Sequence, residues 1–196
     1  MRVSRIAPVL GLALALGLGA CADGTAAASP DGGAAPASAE LADVGELYAL
    51  HARLFDAVTD DVSDAEAARS VGDANSFAWI AGHMLWSQHH VAAVLGVSGD
   101  NPYAAQFGPG RPFDPDADYP TLAQMRRDWN ALVPTVEAAM GRLTDRQLAA
   151  RPPFNLPIGD QSLRGYLVFE QHHLAYEIGQ LGLYRRILGK PALRYY

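Results

Sequence analysis

The sequence predicts an all-α domain, a four-helix bundle, carried behind a signal peptide and a flexible tether. Three observations predict it. Four long stretches repeat apolar residues at helical spacing, loops rich in proline and glycine separate them, and no stretch alternates convincingly with the period of two that a strand requires. The 196-residue chain divides into residues 1–20, 21–39 and 40–196. The last segment is long enough for one domain with a substantial core.

Residues 1–20 begin with Arg2 and Arg5, continue through an apolar run from Ile6 to Leu18, and end in Gly19-Ala20. A basic start, an apolar stretch too short to span a bilayer, and small residues before a cleavage point make a secretory signal. Leu18-Gly19-Ala20-Cys21 resembles the lipobox of bacterial lipoproteins, in which the chain is cut before the cysteine and the cysteine is acylated. Cys21 is the only cysteine, so it is the expected lipidation site and no internal disulfide is available. The expected location is the cell envelope, lipid-anchored on the periplasmic or extracellular side, with the membrane as a partner through the acyl chains. Ala22 to Ala39 is built from small and polar residues and reads as the tether. Removing residues 1–20 leaves 13 of the 15 Lys and Arg against 21 Asp and Glu. An acidic chain with no basic run is not a nucleic-acid binder.

The first helix is expected over about Glu40–Val62, with Leu47, Leu50, Leu54 and Val58 as its apolar stripe. Ser63-Asp64-Ala65-Glu66 reads as the start of a short further turn. The second helix spans about Asn75–Leu95 on a stripe of Phe77, Ile80, Met84, Val91 and Leu95, and Gly96 closes it. Residues 96–120 carry five prolines and read as a long loop, a place where function often sits. Its Tyr103, Phe107, Phe113 and Tyr119 are candidates for one wall of a ligand site. The third helix spans about Thr121–Leu143, and Pro134 within it is expected to kink or split it. After a second loop over about 144–160, the fourth helix spans about Gln161–Leu188, ended by Gly189 and Pro191.

All six histidines fall on expected helices. The fourth helix carries the stronger chemical signal. At about 100° per residue, Glu170 and Glu177 project into the same face as Tyr166, Leu167, Leu174 and Leu181, with His173 at its edge and His172 pointing away. Burying an unpaired carboxylate costs several kcal/mol. A cation, a metal or a tight hydrogen-bond set must compensate, and Glu170 has Arg126 or Arg127 as candidate ion-pair partners. His173 and Glu177 are one turn apart, a spacing at which both can grip one ion. On the second helix His83 flanks the apolar stripe and is the opposing candidate ligand, equally readable as a hydrogen-bonded core histidine. His51 and His90 are weaker candidates, and His89 is expected at the surface. A di-iron carboxylate site needs glutamates that the second helix lacks.

Asn75-Ser76-Phe77-Ala78-Trp79-Ile80-Ala81-Gly82-His83-Met84 resembles the second-helix signature of the DinB/YfiT-like superfamily. His173-Leu174-Ala175-Tyr176-Glu177-Ile178-Gly179-Gln180-Leu181, continuing to Tyr184-Arg185-Arg186-Ile187-Leu188-Gly189, resembles its fourth-helix signature. The resemblance covers about residues 40–190. It implies a four-helix bundle holding one divalent metal on three histidines, carried over here to His83 and His173. Glu177 stands where the third histidine is usual. A His₂Glu set suits Zn²⁺ first, with Ni, Fe or Mn as alternatives, and its extra charge lowers the Lewis acidity of the ion. The alternative is a member that has lost its metal.

The resemblance implies a metal-dependent hydrolase or transferase acting on a small molecule; Glu170, by its place one turn before His173, is the candidate general base. Cytoplasmic thiol cofactors fit poorly with an exported chain, which favours the hydrolase. The alternative function is a non-catalytic binding or structural lipoprotein with a degenerate site. Bundles of this kind often pair through helix faces, so a homodimer is the expected form of any self-association.

Overall fold

The computed structural model describes residues 38–194. The signal peptide, Cys21 and the tether as far as residue 37 lie outside the described residues. A 3-10 turn (Ala39–Leu41) precedes seven α-helices: α1 (Ala42–Thr59), α2 (Asp64–Ala67), α3 (Phe77–Val94), α4 (Ala104–Phe107), α5 (Leu122–Met140), α6 (Asp145–Leu148) and α7 (Leu163–Ile187). Among the described residues there is no strand, and no helix is long and apolar enough to cross a membrane. The all-α fold and the bundle of four long helices are as expected.

Local chemistry sets where the helices begin and end. Ser76, Thr121 and Ser162 lie in extended backbone before α3, α5 and α7, and each side-chain oxygen accepts a first-turn N–H, from Trp79, Gln124 and Gly165. Ser63 with Glu66 and Thr144 with Gln147 form reciprocal capping boxes that nucleate the short α2 and α6. Gly96 and Gly189, at φ 71° and 77°, take the left-handed conformation past the ends of α3 and α7.

The side-chain pairs fix the topology. His51 meets Gln171 and the Val58 carbonyl meets Arg185, so α1 and α7 run parallel. Glu170 meets Ser87 and His173 meets His83, so α7 and α3 run antiparallel. Phe55 stacks on Trp129 at 4.1 Å and Asp60 pairs with Arg126, so α1 and α5 run antiparallel. The long helices therefore run up, down, down and up, with α7 and α5 each wedged between α1 and α3. The core they enclose is aromatic and aliphatic, with Phe55, Trp129, Met84, Leu85, Leu174 and Ile178 almost fully buried. At one end the buried Arg185 donates to the Val58 carbonyl and to Asp61, fastening the last turn of α7 to the end of α1.

Three expectations need correction. Leu47 is 45% exposed, because α1 buries Val44, Tyr48, His51, Leu54, Phe55 and Val58, a stripe set to one side of the expected line. Of the kink or split expected at Pro134, the split does not occur: α5 runs unbroken through it. Pro134 and Asn130 are both exposed, so the carbonyl that loses its partner lies where water can take it. Finally, the two long loops are not wholly irregular, since α4 and α6 form within them.

At Gly82 in α3 an added Cβ would lie 2.3 Å from the Phe107 ring. We expect Gly82→Ala to destabilise the fold by about 1–3 kcal/mol through overpacking. Gly45→Ala, with nothing within 4 Å in α1, should instead raise stability by about 0.5–1 kcal/mol. Thermal denaturation of both variants checks the opposite signs.

Candidate metal centre

α3 and α7 lie side by side, and the site forms where the middle of one faces the middle of the other. His83, His173 and Glu177 each offer one ligand atom, and these atoms all lie within 4.8 Å of one another. The His83 and His173 rings are 5.2 Å apart at 73°, edge to face. Both histidines are half-buried, while Glu170 and Glu177 are buried at 7% exposure each, as their place on the apolar face of α7 predicts.

Each ligand is held by a neighbour. His83 Nδ1 lies 3.0 Å from the Phe107 carbonyl oxygen. A carbonyl only accepts, so Nδ1 carries the proton and Nε2 is left with a free lone pair. The His83 ring is also clamped between Trp79 at 4.9 Å and Trp86 at 5.1 Å, nearly parallel to both. Glu177 Oε2 accepts from Gln180 Nε2 at 2.6 Å, leaving Oε1 toward His173 Nε2 at 3.5 Å. Glu170 Oε2 accepts from Ser87 Oγ at 2.7 Å and lies 3.6 Å from His173 Nδ1, on the side of that ring away from Glu177. Imidazoles oriented through one nitrogen by a carbonyl or a carboxylate, with the other nitrogen turned to a common point, are the usual arrangement behind metal ligands.

The electrostatics follow from this packing. Burial holds His83 below its ordinary pKa, outweighing the Phe107 hydrogen bond, so its imidazole is neutral near pH 7. Burial also pulls His173 down, but hydrogen bonding and charge from Glu170 and Glu177 outweigh it and raise the pKa to about 9. Without a metal, His173 is the counter-charge of two buried carboxylates, and one negative charge remains uncompensated. A divalent ion in place of the His173 proton brings the cluster to neutrality, so the residues present fit such an ion.

The remaining histidines are elsewhere. His51 is buried and bonds Gln171 at 3.0 Å, and His90 stacks beyond Trp86, so neither joins the cluster. His172 is exposed, as expected. His89 is half-buried against Tyr103, 5.9 Å away, and not at the surface. Arg126 pairs with Asp56 and Asp60, and Arg127 bonds Gln124, so neither serves Glu170; Ser87 and His173 do. The loop aromatics pack chiefly on one another, Phe107 against Tyr103 at 5.7 Å and against Tyr119 at 5.2 Å. Sequence reasoning named Phe107 only as an aromatic wall and missed its contact with His83, which runs through the backbone carbonyl and so leaves no residue-type signal. Ser87 and Gln180 were legible only as polar residues one turn or less from the expected ligands.

A family model described as the DinB superfamily matches residues 47–181, which takes in most of α1, all of α3 and α5, and all but the end of α7. The chain belongs to the DinB superfamily. No curated protein matches it. His83, His173 and Glu177 of this DinB-superfamily chain all fall inside the matched region.

Because His173 is protonated up to pH about 9 in the metal-free protein, a metal must displace that proton. The affinity of the site for a divalent ion should rise about tenfold per pH unit from 7 toward 9 and level off above it. Calorimetric titrations across that range, in buffers of differing ionisation enthalpy, should show about one proton released per ion at pH 7.

Proposed function

We propose that this DinB-superfamily chain binds one divalent ion, Zn²⁺ first, on His83, His173 and Glu177, and acts as a metal-dependent hydrolase. The observation that carries the reading is the convergence of three ligand atoms within 4.8 Å, with the His83 Nδ1–H committed to Phe107. A bound divalent ion supplies Lewis acidity, polarising a carbonyl or phosphoryl oxygen and making water a competent nucleophile near neutral pH. Three protein ligands leave room for a substrate atom. The single carboxylate ligand makes the ion less acidic than three imidazoles would.

Glu170 has a positioning role in this reading. It stands on the Nδ1 side of His173, hydrogen-bonded to Ser87, and turns Nε2 toward Glu177 and the ion. That replaces the general-base role with orientation and with strengthening of the ligand's basicity.

A second reading has its own support: His173 between Glu170 and Glu177 is already an ion-paired triad. If the proton is never displaced, the cluster is a structural device and the chain a non-catalytic envelope lipoprotein. Elemental analysis of the untagged full chain separates the two. We expect about one zinc per chain, lost in His83→Ala and weakened about 10–100-fold in Glu170→Gln. Zinc absent from the wild type, or retained at full stoichiometry in His83→Ala, would leave only the structural reading.

We further propose that Cys21 is acylated and that the domain works at the envelope surface, supported by the lipobox resemblance and the run of small residues after it. In a fractionated host, Cys21→Ser should move the protein from the membrane to the soluble fraction while leaving its melting temperature within about 1 °C. Retention of Cys21→Ser on the membrane would overturn the anchor.

A further inference from the structure

The face of α3 that carries His83 carries more than a ligand. Trp79, His83, Trp86 and His90 recur at intervals of four, three and four residues, the spacing of one helix face. All four are half-buried, and their rings stack in a row, with 8°, 20° and 8° between successive planes and centroids 4.9, 5.1 and 6.2 Å apart. The row continues past α3, because His90 also meets Phe154 at 5.4 Å and Tyr166 at 6.0 Å. At that end lies an open groove of about 500 Å³, lined by His90, Ala93, Val94, Ala150, Phe154 and Leu163 among others. Its size falls in the range of small-molecule sites, and its walls are mostly apolar.

The groove and the metal centre share one seam. His83 faces His173 and, two turns along, His90 faces Tyr166, so both lie on the line where α3 meets α7. Seven residues of helix separate the two ends by about 10 Å. Trp86 lies between them, its ring stacked on both His83 and His90. Packing does not require such a row at a half-exposed surface. A continuous row of half-exposed aromatic edges ending in an apolar trough is a surface along which an aromatic or acyl group can lie.

We propose that the substrate is a two-ended small molecule, with an oxygen-donor head at His83, His173 and Glu177 and an apolar aromatic or acyl body laid along Trp86 into the groove at His90 and Phe154. The proposal rests on the metal-centre reading only for the place of the head. The body is recognised by shape and burial, so affinity grows with its length until the groove is filled. His90 and the exposed Arg151 at the rim leave the far end tolerant of a polar or anionic terminus.

The probes are two phenyl carboxylates, 4-phenylbutyrate and 8-phenyloctanoate, titrated calorimetrically into the zinc-loaded full chain. The longer probe should bind at least tenfold more tightly. Ala93→Trp, at an exposed position on the groove wall, should cut that advantage to less than twofold while leaving zinc stoichiometry and the affinity of the shorter probe unchanged. Ala150→Trp, exposed on the opposite wall, gives the same test should the first variant fail to fold. Equal affinity of the two probes, or an undiminished preference for the longer one in a folded groove variant, would overturn the proposal. Should the chain take up no zinc, the metal-centre reading fails by itself. The metal-free chain then still tests the groove, through loss of 8-phenyloctanoate binding in Ala93→Trp.

Discussion

Two carboxylates lie on the buried face of α7 with one imidazole between them, and the middle of the molecule is arranged around that fact. Glu170 and Glu177 are both 7% exposed in a helix that otherwise buries Tyr166, Leu167, Leu174, Ile178 and Leu181. Uncompensated, each would cost several kcal/mol. The compensation comes from three helical turns at once: Ser87 reaches Glu170 from α3, Gln180 reaches Glu177 from the next turn of α7, and His173 answers both. Among the described residues no arginine or lysine supplies the opposite charge, and Arg185 on the same helix is committed to Asp61. A soft, titratable imidazole in that role leaves the cluster able to exchange a proton for a metal, which a guanidinium would forbid.

Much of this was legible in the chain, for a physical reason. A long helix packed on one side writes its burial pattern into its sequence, so the projection of α7 placed Glu170, Glu177 and His173 correctly before any coordinates. The same logic failed on α1, where Leu47 is exposed and Tyr48 and His51 are buried. There the bundle sets the buried line through a polar pair, His51 with Gln171, that a search for apolar residues passes over. At Pro134 the expected split is absent for a different reason: the carbonyl left without its partner, that of Asn130, lies where water can take it.

What the sequence could not disclose was the contribution of main chain and of stacking. The Phe107 carbonyl that fixes the tautomer of His83 is a backbone atom, reached only because Gly82 lets the Phe107 ring lie against α3. The signature pair Gly82-His83 thus has one cause. The glycine admits the loop, and the loop orients the histidine. The aromatic row was present as a spacing of 79, 83, 86 and 90, yet periodicity alone reads such a row as core. Its half-exposure and its continuation through Phe154 are tertiary facts.

The topology explains why a loop is at the site at all. α3 and α5 run in the same direction, so the chain leaving α3 must travel back along the length of a helix of 18 residues, about 27 Å, before α5 can begin. A tight turn cannot do this, and residues 95–121 make the return. The returning segment has to pack somewhere, and the surface it crosses is α3 itself. α4 forms on that surface, buries Phe107 completely and brings its carbonyl to His83. An antiparallel α3–α5 pair would have needed only a few residues of connection and would have left His83 Nδ1 to water. The orientation of His83 is therefore a consequence of helix direction, and the length of the loop is a requirement of the candidate site as much as of the fold.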